Sequence, residues 1–347
     1  MGSRPDIREL FGIALPIVQA PMAGSQGSAL AIAVSRAGGL GSLPAAMLSP
    51  DAQRQELAAI RTGTDQPCNL NFFCHPDPPA DPPREAAWRS LLAPFAAELG
   101  VQDSAVPAAA RRPFDEEMAG IVEECRPAVV SFHFGLPRPG LLARVRAAGA
   151  RVISTATTVA EALWLEEQGV DALIAQGLEA GGHRGSFLPG PEDLQMGLFA
   201  LLPRVRAAVR VPVIAAGGIA DERGVAAALA LGADGVQVGT SFLLCPEATT
   251  SAVHRAALAS PAAEHTAITN LFSGRPARGI VNRLMRELGC LRADVPHFPR
   301  AAPALAPIRA GAEARGSGDF SPLWAGQNTT GCRNRPAAEV LQSLMPG

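Results

Sequence analysis

The stretch AQGLEAGGHRGSF, residues 175–187, concentrates the residue types most able to do chemistry. His183 follows Gly181 and Gly182, and glycines let a backbone approach a ligand closely. An imidazole can hold an anion as a cation or take up a proton as a neutral base. A buried histidine bonded to a backbone carbonyl is the alternative. The pattern predicts that His183 is catalytic and leaves its protonation state open.

A second group of glycines follows the last two of eight predicted strands. Gly217 and Gly218 lie in AAGGIAD, and Gly239 precedes Thr240 in QVGTSF. Turns of this kind, next to a helix N-terminus, bind phosphate in many α/β barrels. Tight turns without a ligand are the alternative. The two turns together predict a phosphate site.

Neutral polar side chains lie in or at the ends of the other predicted strands. They are Gln19, Asn69, Asn71, Ser131, His133, Ser154, Thr155 and Gln176. Amides and hydroxyls suit a planar, uncharged ligand with many hydrogen-bonding edges, whereas the paired carboxylates of a glycosidase are missing. A phosphate site beside this mouth indicates flavin mononucleotide, FMN.

The elements that must position these residues follow a regular β/α alternation. The predicted strands are nearly continuously apolar, as is typical of strands buried on both faces, and helical periodicity separates most of them. They span residues 16–22, 39–44, 68–73, 128–135, 151–156, 172–177, 211–218 and 235–242. Eight such units predict an α/β fold, a (β/α)8 TIM barrel with its site at the C-terminal strand ends. An open, doubly wound sheet is the alternative.

The alternation stops after residue 242. Residues 1–242, closed by residues 326–347, are expected to form the barrel, and residues 243–325 are predicted to be helices with proline-rich joints that form a lid or substrate domain. The proline-rich residues 75–88 predict a surface loop that leads into a helix.

Composition excludes several classes of function. The formal net charge of the 347 residues is −2, so we expect no nucleic-acid partner. No apolar run reaches about 18 residues, and the first residues lack a signal region, which indicates a cytoplasmic protein without membrane contact. The six cysteines have no metal-ligand spacing, so we expect free thiols and no metal. We expect a monomer or homodimer that acts on a small molecule.

Eight segments, in order along the whole chain, resemble the class I nitronate monooxygenases, formerly 2-nitropropane dioxygenases. They are PIVQAPMAG, CNLNFF, ISTATTVAEAL, AQGLEAGGHRG, PVIAAGGIAD, GADGVQVGTSFL, FSGRPARG and PLWAGQ. The resemblance implies an FMN-dependent TIM-barrel monooxygenase. Such an enzyme oxidises alkyl nitronates, of the propionate 3-nitronate type, with O₂ to a carbonyl compound and nitrite through a flavin semiquinone.

The resemblance also implies roles for individual residues. His183 matches the active-site histidine of the family. The implied cofactor-binding residues are Pro21, Met22, Ala23, Asn69, Gln176, Gly181, Gly182, Gly217, Gly218, Gln237, Val238, Gly239 and Thr240. The backbone of residues 21–23 is expected near the isoalloxazine ring.

The substrate side departs from the family pattern, because members often place tyrosines there and this chain has none. Candidate substrate contacts are His133, Phe272, Arg275 and Trp324, with His297 and Phe298 as further aromatic candidates. Arg275, Arg278 or Arg309 is a candidate for binding a carboxylate or phosphate, and a structural salt bridge is the alternative.

Two other functions share this architecture. Flavin-dependent enoyl-ACP reductases, which use a reduced nicotinamide, resemble the chain in their Gly-Gly-His loop, but the position of Gln176 tends to be Glu in them. Gln176 therefore favours the nitronate monooxygenase. A flavin-binding protein without turnover is the second alternative.

Overall fold

Eight parallel strands form a closed barrel in the computed structural model, which describes residues 4–101, 111–190 and 195–345. The strands are β1 Ile17–Gln19, β2 Gly41–Pro44, β3 Cys68–Phe73, β4 Val129–His133, β5 Arg151–Ala156, β6 Ala172–Gln176, β8 Val213–Ala216 and β9 Gly235–Val238. Their order is β1-β9-β8-β6-β5-β4-β3-β2, and a parallel bridge from Val18 to Leu40 joins the two ends. The predicted TIM barrel is confirmed, and the open sheet is excluded.

Both faces of the barrel strands are buried, as their apolar composition predicts. Val18, Val129 and Ile153 point into the barrel, where they pack with residues of helix α1, Ile7–Phe11. Their chain neighbours, such as Val130 and Val152, belong instead to the core between strands and helices. Successive strand residues alternate sides, so one apolar run supplies both cores. Helix α1 fills the end of the barrel opposite the site.

The helices around the barrel are α2 Ser28–Arg36, α3 Pro50–Gly63, α5 Glu116–Cys125, α6 Pro139–Ala147, α7 Val159–Glu167, α8 Leu198–Ala208, α9 Glu222–Ala230 and α13 Ala337–Ser343. Polar caps fix where two of them begin. Thr158 and Glu161 form a reciprocal capping box at α7, and Asp221 accepts from the Gly224 N–H at α9.

A second hydrophobic core lies outside the barrel. It joins helices α4 Pro82–Leu99, α11 Arg283–Leu288 and α12 Ala302–Glu313 around Trp88 and Phe320. Helix α10 spans Ala252–Leu258. The sequence places helix α4 among the barrel units, but α4 packs on α11 and α12 instead. These three helices come from two distant segments of the chain, and we call the part of the protein that they form the cap.

The cap also contains a small antiparallel sheet, so the prediction of helices throughout residues 243–325 was wrong for two segments. Strands β10 Thr266–Thr269 and β11 Ala277–Ile280 pair with each other, and β11 pairs with β7 Gly182–His183. Helix α11 begins only after Asn282, whose side chain caps the Met285 N–H. The residues before this cap are extended by pairing with the loop that carries His183.

All six cysteines are free thiols. None of the helices in the described part of the chain is both long and apolar enough to span a membrane.

Candidate active site

A cavity of about 240 Å³ opens at the C-terminal ends of the barrel strands and reaches the cap. No Asp or Glu is among the described residues that line it. The predicted site residues in its lining are Pro21, Met22, Ala23, His133, Gln176, Gly181, Gly182, His183, Gly217, Gly218, Gln237, Gly239, Thr240 and Trp324. Residues that are far apart in the chain, and that the sequence analysis grouped into one site, therefore line one cavity.

Two residues predicted to contact the cofactor lie behind the lining. Val238 is buried in the core between strands and helices. The Asn69 side chain is buried and its Nδ2 donates to Ser42 Oγ at 3.0 Å, while its Oδ1 has no hydrogen-bond partner. Asn69 thus lies behind the cavity lining, where it contacts Ser42.

Two residues predicted to contact substrate also lie outside the lining. Phe272 packs in the cap core, edge-on to Trp324. The Arg275 guanidinium lies 4.0 Å over the Phe134 ring and donates to the Ser186 carbonyl. The role of both residues as substrate contacts stays a prediction.

Gln176 holds the His183 loop through both ends of its amide. Its Nε2 donates to the His183 carbonyl at 3.0 Å, and its Oε1 accepts from the Gly185 N–H at 2.8 Å. A carboxylate at this position would keep the acceptor and lose the donor. Gln176 is therefore suited to positioning His183 as well as lining the cavity.

His133 supports the same carbonyl. Its Nε2 lies 3.1 Å from the His183 carbonyl, which can only accept, so Nε2 carries the proton. Its Nδ1 lies 3.2 Å from Thr155 Oγ1, which donates to it in the neutral ring. Burial lowers the pKa of His133 to about 4, so both bonds persist at neutral pH.

Hydrogen bonds from Arg184 and to Glu161 hold the remainder of the loop that carries His183. Arg184 is fully buried and donates to the carbonyls of Gly177 and Gln176. Glu161, which caps α7, also accepts from the Phe187 N–H at 2.7 Å. The loop that carries His183 is therefore held by side chains of both the barrel and the helical layer.

Ser273 sets the tautomer of His183. The Ser273 hydroxyl donates to the Arg275 carbonyl at 3.2 Å, so its oxygen accepts from His183 Nε2, 2.8 Å away. The neutral imidazole then carries its proton on Nε2. His183 Nδ1 has no hydrogen-bond partner among the described residues, so its lone pair is available in the cavity.

Four aromatic rings surround the imidazole of His183. The rings of Phe73, Phe134, Phe298 and Trp324 lie 5.4–6.3 Å from it, centroid to centroid. Burial, and then the charges of neighbouring cations, lower the pKa of His183 well below its usual range. The lowered pKa favours the neutral form of the His183 imidazole at pH 7, so His183 is a candidate base, and its catalytic role stays a prediction.

Glycines form the opposite wall. Gly217 and Gly218 follow β8 with φ of +121° and +72°, a backbone that favours glycine. A Cβ on Gly217 would lie 3.0 Å from the Ala180 backbone nitrogen, and one on Gly239 would lie 3.2 Å from the Ala20 Cβ. Because Gly217, Gly218 and Gly239 carry no side chains, their backbone lines the cavity where β8 and β9 end.

The loop after β1 is held by a buried amide network. Gln19 Nε2 donates to Gln26 Oε1 at 2.6 Å, and Gln26 Oε1 also accepts from the Met22 N–H at 3.2 Å. The Ser42 N–H donates to Gln19 Oε1 at 3.0 Å. Gln19 thus positions the lining segment without lining the cavity itself.

Sequence reasoning missed two polar groups of the site. Arg111 and His254 line the cavity together with Arg309. Burial lowers the pKa of His254 to about 4. Arg111 stands in ARRPF and His254 in AVHRAAL, and both segments have the pattern of an ordinary surface, so no sequence signal marked them.

A TIM barrel with a half-buried histidine and a polar cavity at its C-terminal strand ends has the architecture of an enzyme. A family model described as nitronate monooxygenase matches residues 4–347. The chain therefore belongs to the nitronate monooxygenase family, and the predicted class, an oxidoreductase of the monooxygenase type, is confirmed.

Three similar proteins illustrate the relationship. A nitronate monooxygenase of Pseudomonas aeruginosa is 44% identical over 97% of both chains. A structure described as nitroalkane oxidase from Streptomyces ansochromogenes is 39% identical with a TM-score of 0.89, covering 98% of this chain and 96% of its own. FabK from Thermotoga maritima is 27% identical with a TM-score of 0.73, covering 99% of this chain and 95% of its own.

Proposed function

We propose that this protein is an FMN-dependent monooxygenase that oxidises alkyl nitronates, of the propionate 3-nitronate type, with O₂ to a carbonyl compound and nitrite. One observation carries the proposal: a neutral His183, with Nδ1 available, faces a cavity whose described lining contains no carboxylate. An anionic substrate is not repelled from such a cavity, and a base is present for its neutral nitroalkane form.

The lining residues fit FMN. The Oε1 atom of Gln237 is buried without a hydrogen-bond partner, which is costly unless a ligand N–H reaches it. The N–H groups of Gly217, Gly218 and Gly239 are candidates to hold the phosphate near the start of α9, and residues 21–23 are candidates for the ring. The bound flavin would supply the redox chemistry with O₂.

His183 would act as the base for a nitroalkane. Nδ1 takes the proton from the α-carbon, the C–H electron pair forms the C=N bond, and the charge moves to the nitro oxygens. A nitronate already lacks this proton, so its oxidation does not need the base. The low pKa of His183 argues against a cationic anchoring role.

An anaerobic experiment tests the function against its alternatives. The FMN-loaded protein is mixed with propionate 3-nitronate and, separately, with NADPH, and the visible flavin spectrum is recorded before O₂ is admitted. With the nitronate, we expect the flavin spectrum to change before O₂ is admitted and nitrite to be released afterwards. With NADPH, we expect neither change. Rapid bleaching by NADPH would favour a reductase. An unchanged spectrum in both cases would favour a binding protein without turnover.

A further inference from the structure

Arg278 lies at the junction between the antiparallel sheet of the cap and the loop that carries His183. It belongs to β11, and its backbone pairs with Gly182 of β7. The residue is buried, yet it is not among the described residues that line the cavity. Burying a guanidinium is unfavourable unless the fold supplies hydrogen-bond acceptors and an opposite charge.

The Arg278 guanidinium donates to both sides of this junction. Its Nε donates to the Leu178 carbonyl at 2.8 Å, in the loop that follows β6. Its Nη1 donates to the carbonyl and to the Oγ1 atom of Thr266 on β10, both at 3.2 Å. One side chain therefore connects the beginning of the His183 loop to the outer strand of the cap sheet.

Glu179 supplies the opposite charge for Arg278. Burial lowers the pKa of Arg278, and the negative charge of Glu179 raises it. The guanidinium is protonated at pH 7. Both oxygens of the Glu179 carboxylate accept from the Leu198 N–H at the start of α8, at 2.9 and 2.8 Å, which fixes their position. The fold therefore provides Arg278 with acceptors and with a counter-charge.

The turn between β10 and β11 carries Ser273, which bonds the His183 ring. Ser273 Oγ lies 2.8 Å from His183 Nε2. The turn is attached to the loop through β7, which has two residues, and Ala277 and Arg278 pair with it. Hydrogen bonds from a charged donor are stronger than those between neutral groups. The side chain of Arg278 therefore contributes substantially to this short attachment.

We propose that Arg278 is a positioning residue, which holds the turn with Ser273 against the His183 loop and so keeps Ser273 Oγ within hydrogen-bond distance of His183 Nε2. The proposal rests on the proposed function, which assigns His183 as the base for nitroalkanes. Arg278 does not line the cavity, so its effect on turnover passes through Ser273 and His183. Oxidation of a nitronate, which needs no base, should not depend on it.

A double-mutant cycle with Ser273 tests the proposal. In Arg278→Met we expect kcat for 3-nitropropionate to fall about 3- to 10-fold with KM nearly unchanged, and turnover of propionate 3-nitronate to change less than about 2-fold. In the Ser273→Ala background, Arg278→Met should lower kcat for 3-nitropropionate by less than about 2-fold, because the bond that it protects is already absent. An equal fall in both backgrounds would overturn the proposal.

The tautomer of His183 provides a readout that does not depend on turnover. In ¹⁵N NMR of the labelled, FMN-loaded protein, we expect part of the His183 population in Arg278→Met to carry its proton on Nδ1. A His183 signal identical to that of the wild type would contradict the proposal. If neither 3-nitropropionate nor its nitronate is oxidised, the proposed function fails, while this measurement still tests the role of Arg278.

Arg255→Met is the matched control. Arg255 also donates to backbone carbonyls, those of Leu244, Cys245, Ala248 and Thr250, but it has no printed bond to the His183 loop. We expect this variant to lose stability to urea while its ratio of nitroalkane to nitronate turnover equals that of the wild type. A ratio that falls as far as in Arg278→Met would overturn the proposal.

Arg278→Lys keeps the test available if Arg278→Met does not fold. Lysine retains the charge and a donor for one acceptor, but it lacks the guanidinium that reaches Leu178 and Thr266 together. We expect a smaller fall in kcat for 3-nitropropionate, about 2- to 3-fold, that disappears in the Ser273→Ala background. A fall that persists there would overturn the proposal.

Discussion

The two halves of the barrel interior are built from the same strands and differ in chemistry. At the N-terminal ends, inward residues such as Val18, Ile153 and Ile214 form a dry cluster closed by α1. At the C-terminal ends the inward residues are polar, and Thr155 and Gln176 are examples. The closed half supplies stability, and the open half holds polar groups that a ligand or a loop must satisfy.

The largest expected effect in the open half is on the chemistry. In His183→Asn, nitroalkane turnover should fall about 100- to 10,000-fold, because a positioned general base is lost. Turnover of the preformed nitronate should change little. Steady-state nitrite release with both forms measures the difference, and equal losses for both would refute the assignment of His183 as the base.

The closed half should respond in stability instead. Ile214→Ala removes buried methyl groups, so we expect the free energy of unfolding to fall by about 2–5 kcal/mol. Gln237→Leu in the open half should change it by less than about 1 kcal/mol in the flavin-free protein, yet weaken FMN binding. Urea unfolding and flavin fluorescence measure the two effects. Similar stability losses in both variants would remove the distinction between the halves.

Acid should destabilise the folded protein through three histidines near the open half of the barrel. The folded pKa values of His75, His133 and His254 are about 4, below the unfolded value near 6.5. Above pH 6.5 neither state takes up these protons. Between pH 6.5 and about 4 the unfolded state takes them up first, so stability should fall by up to about 1.4 kcal/mol per pH unit for each histidine.

Urea unfolding between pH 7.5 and 5 checks this slope. His254→Asn should reduce it by about one histidine's share. A stability that stays constant down to pH 5 would show that these side chains titrate normally in the folded protein.

A smaller effect is expected where the tautomer is set. Ser273→Ala removes the acceptor of His183 Nε2, so we expect nitroalkane turnover to fall about 10-fold. Nitronate turnover should be unaffected. Ser251→Ala, which removes a different hydroxyl of the cavity lining, is the control. A loss in Ser251→Ala equal to that in Ser273→Ala would point to general disturbance of the cavity.

The sequence predicted the barrel well because each strand needs only a short apolar run with both faces buried. Residues 151–156 and 68–73 match β5 and β3 in both bounds. It did not predict β11, because that strand depends on pairing with β7 nearly 100 residues earlier. A local apolar pattern does not show which distant segment a strand pairs with.

The candidate site divides in the same way. Glycines and His183 were predicted because their motif is local. Gln176 was expected to address the flavin, yet its amide also holds the loop, which the sequence alone cannot reveal. Ser273 contacts the His183 ring from 90 positions away, and Arg111 lines the cavity from the segment before α5. Roles that depend on tertiary contacts therefore required the structure.

The protonation state of His183 tests the central claim most directly. In ¹⁵N NMR of the labelled FMN-loaded protein, we predict a neutral ring protonated on Nε2 throughout pH 8 to 5.5, as burial and Ser273 dictate. Loss of the Nε2–H pattern in Ser273→Ala would identify the resonance. A cationic imidazolium signal from His183 at pH 7 would contradict the account.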